Sequence, residues 1–134
     1  MTTCTASRQA ASRRVARMLL AVLLAAAAEG AVAHALVTAS RPAAGATVRA
    51  GTLAVELRFN SRIDGPRSRA MLVAPDGAAT ALSLAPGDSG AVLSGHADVR
   101  RAGAWVIRWQ VLSLDGHVTR GEIPFRVEGA VQRP

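Results

Sequence analysis

Between Trp105 and Val111 large apolar side chains recur at every second position. Trp105, Ile107, Trp109 and Val111 fall on one face, with Arg108 and Gln110 on the other. A period of two belongs to an extended chain, whose successive side chains point to opposite sides. Leu53, Val55, Leu57 and Phe59 repeat the pattern, with Glu56 and Arg58 turned the other way. Strands with one apolar face must bury it against a second sheet or against the same sheet closed on itself. Fainter strands are expected over residues 35–39, Ala70–Ala74 and Ala79–Leu84, from Val92-Leu93, and over Ile123–Val127. Pro124 favours an edge or irregular pairing in the last of these. The breaks between them are Pro42 to Gly45, a loop from Asn60 to Pro66, Pro75-Asp76-Gly77, Pro86 to Gly90, and Asp115-Gly116. No segment after residue 33 keeps a helical period for two turns. About seven short strands with turns at this spacing predict an all-β, antiparallel sandwich or barrel.

The start of the chain has a different character. Arg8, Arg13, Arg14 and Arg17 precede an apolar run from Met18 to Ala28, and Ala31-Val32-Ala33 follows. Basic, apolar and small-residue segments in that order make a cleaved export signal over residues 1–33. The apolar run is shorter than the roughly 20 residues needed to span a bilayer. Ser12-Arg13-Arg14 hints at the twin-arginine route. Cleavage after Ala33 leaves one domain over residues 34–134 and begins it with His34. Cys4, the one cysteine of the chain, lies in the part removed. The mature protein then has no thiol and folds on its hydrophobic core alone.

The three histidines are His34, His96 and His117. A histidine at a chain start offers its α-amine and its ring Nδ1, which close a six-membered chelate ring on one metal ion. The amine titrates near about 8, so a metal readily displaces its proton. Asp115 and His117, two residues apart, point to the same side of an extended chain. Gly116 between them allows a tight turn. Nitrogen and oxygen donors in a tetragonal plane suit Cu(II), whereas Cu(I) prefers sulfur. Met71 is the one methionine after residue 33. His96 lies in a polar Gly-His-Ala-Asp stretch and is expected to be a surface residue.

Residues 34–48, opening His34-Ala35-Leu36-Val37, together with Leu53 to Phe59, Trp105-Val106-Ile107-Arg108-Trp109, Ser113-Leu114-Asp115-Gly116-His117, Gly121 and Phe125-Arg126-Val127 carry a resemblance. On these residues the chain resembles the CopC family of periplasmic copper-resistance proteins. The resemblance covers most of residues 34–127. It implies a seven-stranded Greek-key β-barrel or sandwich, immunoglobulin-like and similar in appearance to a cupredoxin. It also implies a Cu(II) site in which His34 is the N-terminal ligand, Asp115 the carboxylate and His117 the second imidazole. An inner-membrane copper transporter of the CopD type is the implied partner. The chain departs from the family in three ways. It lacks the methionine-rich loop that some members use for Cu(I). Trp105 stands where a Tyr is usual. Leu114 and Arg120 replace small residues.

The expected function is therefore a periplasmic Cu(II)-binding protein without catalytic turnover, acting as a monomer. Two other classes are open. A copper-dependent polysaccharide monooxygenase also chelates copper through an N-terminal His, but usually adds a Tyr or Phe at the metal and a flat aromatic surface. This chain has no Tyr and only Phe59, Phe125, Trp105 and Trp109 as aromatics. A metal-free immunoglobulin-like module would show no metal dependence of stability. Nucleic-acid binding is not expected. The net charge is +7, but four of the 16 Arg lie in residues 1–33 and the rest are scattered without a basic block.

Overall fold

The computed structural model describes residues 34–129. The leader expected over residues 1–33 lies outside them. Nine strands follow in order: β1 (Val37–Arg41), β2 (Thr47–Arg49), β3 (Gly51–Phe59), β4 (Ile63–Val73), β5 (Ala79–Leu82), β6 (Leu84–Pro86), β7 (Val92–Val99), β8 (Gly103–Ser113) and β9 (Val118–Glu128). They form two sheets, one ordered β1-β3-β7-β6 and the other β2-β9-β8-β4-β5. The all-β sandwich expected from the alternation is the observed architecture, antiparallel throughout its described ladders except where β2 runs parallel to β9. β2 and β6 are three-residue pieces, and they account for the difference from seven strands.

The inner faces come from the residues whose period marked them. Val55, Leu57 and Phe59 of β3 meet Trp105, Ile107, Trp109 and Val111 of β8 in one buried cluster, joined by Leu93, Val99, Ile123, Phe125 and Val127. Phe59 and Trp109 touch edge to face, with ring centroids 5.5 Å apart, the arrangement the ring quadrupoles favour. The Trp109 ring also covers Gly121, its partner across the ladder. A Cβ at Gly121 would sit closer to that ring than real Cβ contacts allow. The position needs glycine for space, not for backbone freedom.

Four segments differ from the sequence reading. The loop expected at Asn60 to Pro66 largely belongs to β4, which pairs Asp64 with Leu112 and then Arg69 with Gln110. Three extra residues bulge out between those pairs. The Ser68 hydroxyl closes the bulge by donating to the Asp64 carbonyl at 2.7 Å and accepting from the Leu112 N–H at 3.2 Å. The single strand expected at Ala79–Leu84 is split, with β5 in one sheet and β6 in the other. β7 continues past Leu93 to Val99 and so contains His96. β9 begins at Val118, before the expected Ile123. Pro124 is accommodated inside β9 where β2 begins alongside. Its carbonyl accepts the Gly45 N–H at 2.7 Å, and its missing N–H faces the same side.

Candidate metal centre

Two connections bring His34 and His117 to one end of the sandwich. The first residues of the described chain are held by Asn60, which follows the end of β3. Its Oδ1 accepts the Leu36 N–H at 2.8 Å, and its own N–H donates to the Leu36 carbonyl at 3.0 Å. Ala35 is fully buried beneath this clamp. Val37 then pairs with Phe59 and starts β1. His34 itself is exposed, just before the clamp.

The second connection is the turn between β8 and β9. The Ser113 N–H donates to the His117 carbonyl at 2.8 Å, and the Gly116 N–H to the Ser113 carbonyl at 2.9 Å. Gly116 has φ +89° there, a conformation that L side chains rarely adopt. The Leu114 N–H reaches the Arg62 carbonyl at 3.4 Å, which ties the turn to the segment that carries Asn60.

Within the turn Asp115 and His117 face each other. Asp115 Oδ1 accepts the His117 backbone N–H at 3.2 Å, and Oδ2 lies 3.2 Å from His117 Nδ1. The backbone N–H of His117 holds the Asp115 carboxyl below the usual carboxylate range, and the imidazole adds to the effect against partial desolvation. Asp115 is therefore a carboxylate throughout the neutral range. With Nδ1 turned toward Asp115, His117 has Nε2 left for a metal. A carboxylate behind the far nitrogen is the usual way of orienting a ligating imidazole. Each Asp115 oxygen keeps a second lone pair, so the carboxylate can also face a cation.

The His34 and His117 rings stand 5.6 Å apart between centroids, tilted by 52°. A ring bound through nitrogen at about 2.0–2.1 Å has its centroid about 3 Å from the metal, so two rings on one ion lie within about 6 Å of each other. The observed spacing fits a shared ion. No group of three or more His, Cys, Asp or Glu side chains among the described residues stands ready-made around a single point. The structure thus brings two imidazoles and one carboxylate to one end. His96 is not part of this group. It lies in β7 opposite Ala54, five residues along β3 from Phe59, about 16 Å in the strand direction. Asn60 is the residue that sequence reasoning missed. Its only signal is an amide side chain immediately after a cleanly alternating strand.

The fold has known counterparts. A family model described as the CopC domain matches residues 37–128. Protein YobA of Escherichia coli strain K12 is 31% identical over 101 residues, which span 72% of this chain and 80% of YobA. The crystal structure of CopC from Methylosinus trichosporium OB3b superposes with a TM-score of 0.65 at 25% identity, over 71% of this chain and 94% of that one. PcoC, a methionine-rich copper resistance protein from Escherichia coli, shares the fold with a TM-score of 0.56 at 22% identity, over 72% of this chain and 100% of its own. The protein is an all-β sandwich with a histidine-bearing end, and it belongs to the CopC family.

Proposed function

We propose that this protein binds Cu(II) in the periplasm as part of copper resistance. Export removes residues 1–33 and leaves His34 as the first residue. Its α-amine and Nδ1 chelate the ion, His117 Nε2 binds beside them, and Asp115 orients His117 and contributes a weaker oxygen donor. Each of the amine and the imidazole nitrogens gives up any proton it carries when the metal enters. The protein holds copper without turning it over and passes it to an inner-membrane transporter of the CopD type.

The observation that carries this reading is the approach of the His34 and His117 rings to 5.6 Å beside a carboxylate. Family membership supports it, as does the shared fold of PcoC, a copper resistance protein. Met71, the one methionine among the described residues, leaves little sulfur for Cu(I). The test is an electron paramagnetic resonance titration with Cu(II), on exported protein whose first residue is verified as His34. One equivalent giving a single tetragonal spectrum with nitrogen hyperfine structure is the expected result. A spectrum of aquated copper refutes the reading.

A further inference from the structure

Among the described residues the exposed large apolar side chains are Leu36 at 57%, Met71 at 42%, Leu114 at 61% and Val118 at 49% exposure. Three of them are within two residues of His34, Asp115 or His117. Large apolar groups left in water around a polar site mark a contact surface.

Val118 leads from the turn onto the outer face of the β4-β8-β9 sheet. Opposite it lies Leu112. The next outward row is Arg69, Gln110 and Arg120, and the row after that is Met71, Arg108 and Glu122. The residues of these two outward rows, with Trp109 and Gly121, line a groove of about 480 Å³, and Val118 lies just beyond it. Of its three arginines only Arg108 faces a carboxylate, Glu122 Oε1 at 2.7 Å. Arg120 Nε donates to the neutral Gln110 Oε1 at 2.7 Å. Arg69 makes no ion pair among the described residues. Two positive charges on the groove wall are therefore uncompensated, beside the exposed apolar side chain of Met71.

We propose that this face, from Leu114 and Val118 down to Arg69 and Arg120, is the docking surface for an acidic segment of a partner protein. Carboxylates of that segment pair with Arg69 and Arg120, and its apolar side chains cover Val118 and Met71. The charge selects against a second copy of this basic chain, because like charges would face each other. A groove takes an extended segment along its length, whereas a lipid surface is flat on this scale. That the partner receives copper rests on the function proposed above; the docking itself does not. Because the face is continuous with the His117 turn, a segment seated on it stands next to the metal ligands.

The test is an amide NMR titration of the exported, copper-free protein. The probe is an acetylated and amidated pentapeptide alternating glutamate and leucine, with the lysine–leucine analogue as control. The acidic peptide is expected to shift amides in Arg69–Met71, Arg108–Gln110 and Val118–Glu122. Its binding should weaken on going from low salt to about 0.15 M ionic strength. The double variant Arg69→Ala, Arg120→Ala should weaken it about fivefold or more, with an unchanged Tm and an unchanged Cu(II) spectrum. Shifts elsewhere, equal binding of the lysine peptide, or undiminished binding by the double variant would overturn the proposal. So would Arg69- and Arg120-dependent pelleting with phosphatidylglycerol vesicles, or Arg-dependent self-association, in the absence of peptide binding. Loss of the tetragonal Cu(II) spectrum with the peptide footprint intact sinks the copper reading alone; a normal spectrum without the footprint sinks the docking face alone.

Discussion

Individual side chains at the metal end divide into donors and supports, and substitution should separate them. His117→Ala is expected to weaken Cu(II) binding about 100-fold or more, and Asp115→Ala about 10- to 100-fold, since an orienting carboxylate typically carries that much. His96→Ala should leave the affinity unchanged, because β7 places it on a distant part of the sandwich. Competition titration against a chelator of known affinity reads all three. If His96→Ala were the damaging change, the wrong imidazole has been assigned. Asn60→Ala is a different kind of test. It leaves the Leu36 N–H without its 2.8 Å acceptor and should cost about 1 kcal/mol in denaturant unfolding, while loosening the start of the chain and lowering copper affinity with it. His34, Asp115 and His117 stand out as candidate ligands in the sequence because donor type and spacing are local properties, and the structure adds that the three lie at one end. Asn60 does not stand out. An asparagine after a strand reads as a turn residue, and its bond to Leu36 spans 24 positions.

At the level of elements, the strands with a clean period were legible and the others were not, for identifiable reasons. β3 and β8 alternate because both lie against the core along most of their length. The first half of β4 hides its strand character in a bulge, where Asp64 and Ser68 side chains replace ladder bonds. β5 and β6 form one continuous extended stretch in sequence, and only the tertiary fold decides that the chain changes sheets at Ser83. β2 pairs in parallel with the far end of β9, a partner that no local pattern can indicate. The β8–β9 pair carries a prediction of its own. Gly121→Ala pushes a methyl into the Trp109 ring and should destabilise the protein by about 1–3 kcal/mol, measured as a fall in the denaturant midpoint at unchanged m-value. A wild-type midpoint would mean that Trp109 can swing aside at no cost.

For the whole molecule, pH and copper should move stability in predictable directions. Asp76, in the turn between β4 and β5, accepts the Ala78 N–H at 3.0 Å and pairs with Arg101 at 2.8 Å. The backbone N–H first, and then the guanidinium, holds its carboxyl below the ordinary value. A carboxyl depressed on folding adds stability that is complete above its unfolded pKa of about 3.9 and disappears as pH falls through the lower folded value. Asp76→Asn should therefore lower the Tm near neutral pH, and the gap to wild type should close as the pH drops below about 4. A gap that stays constant would show that the pair contributes nothing through ionisation. Copper acts in the other direction. Binding confined to the folded state adds about 2.7 kcal/mol at 100 times the dissociation constant. For a domain of this size that is roughly 10 °C or more in Tm, and a scan with and without Cu(II) would detect it.

The clamp between Leu36 and Asn60 begins two residues after His34. If the leader is cut after Ala33 as proposed, a cut one residue earlier leaves the clamp and the buried Ala35 untouched. Such a chain would fold like its correctly cut sibling, yet with the proposed α-amine chelate broken it would lose most of its copper affinity. Under the proposed function the export peptidase would perform the last step in building the metal site, and its fidelity would set what fraction of the folded protein binds copper.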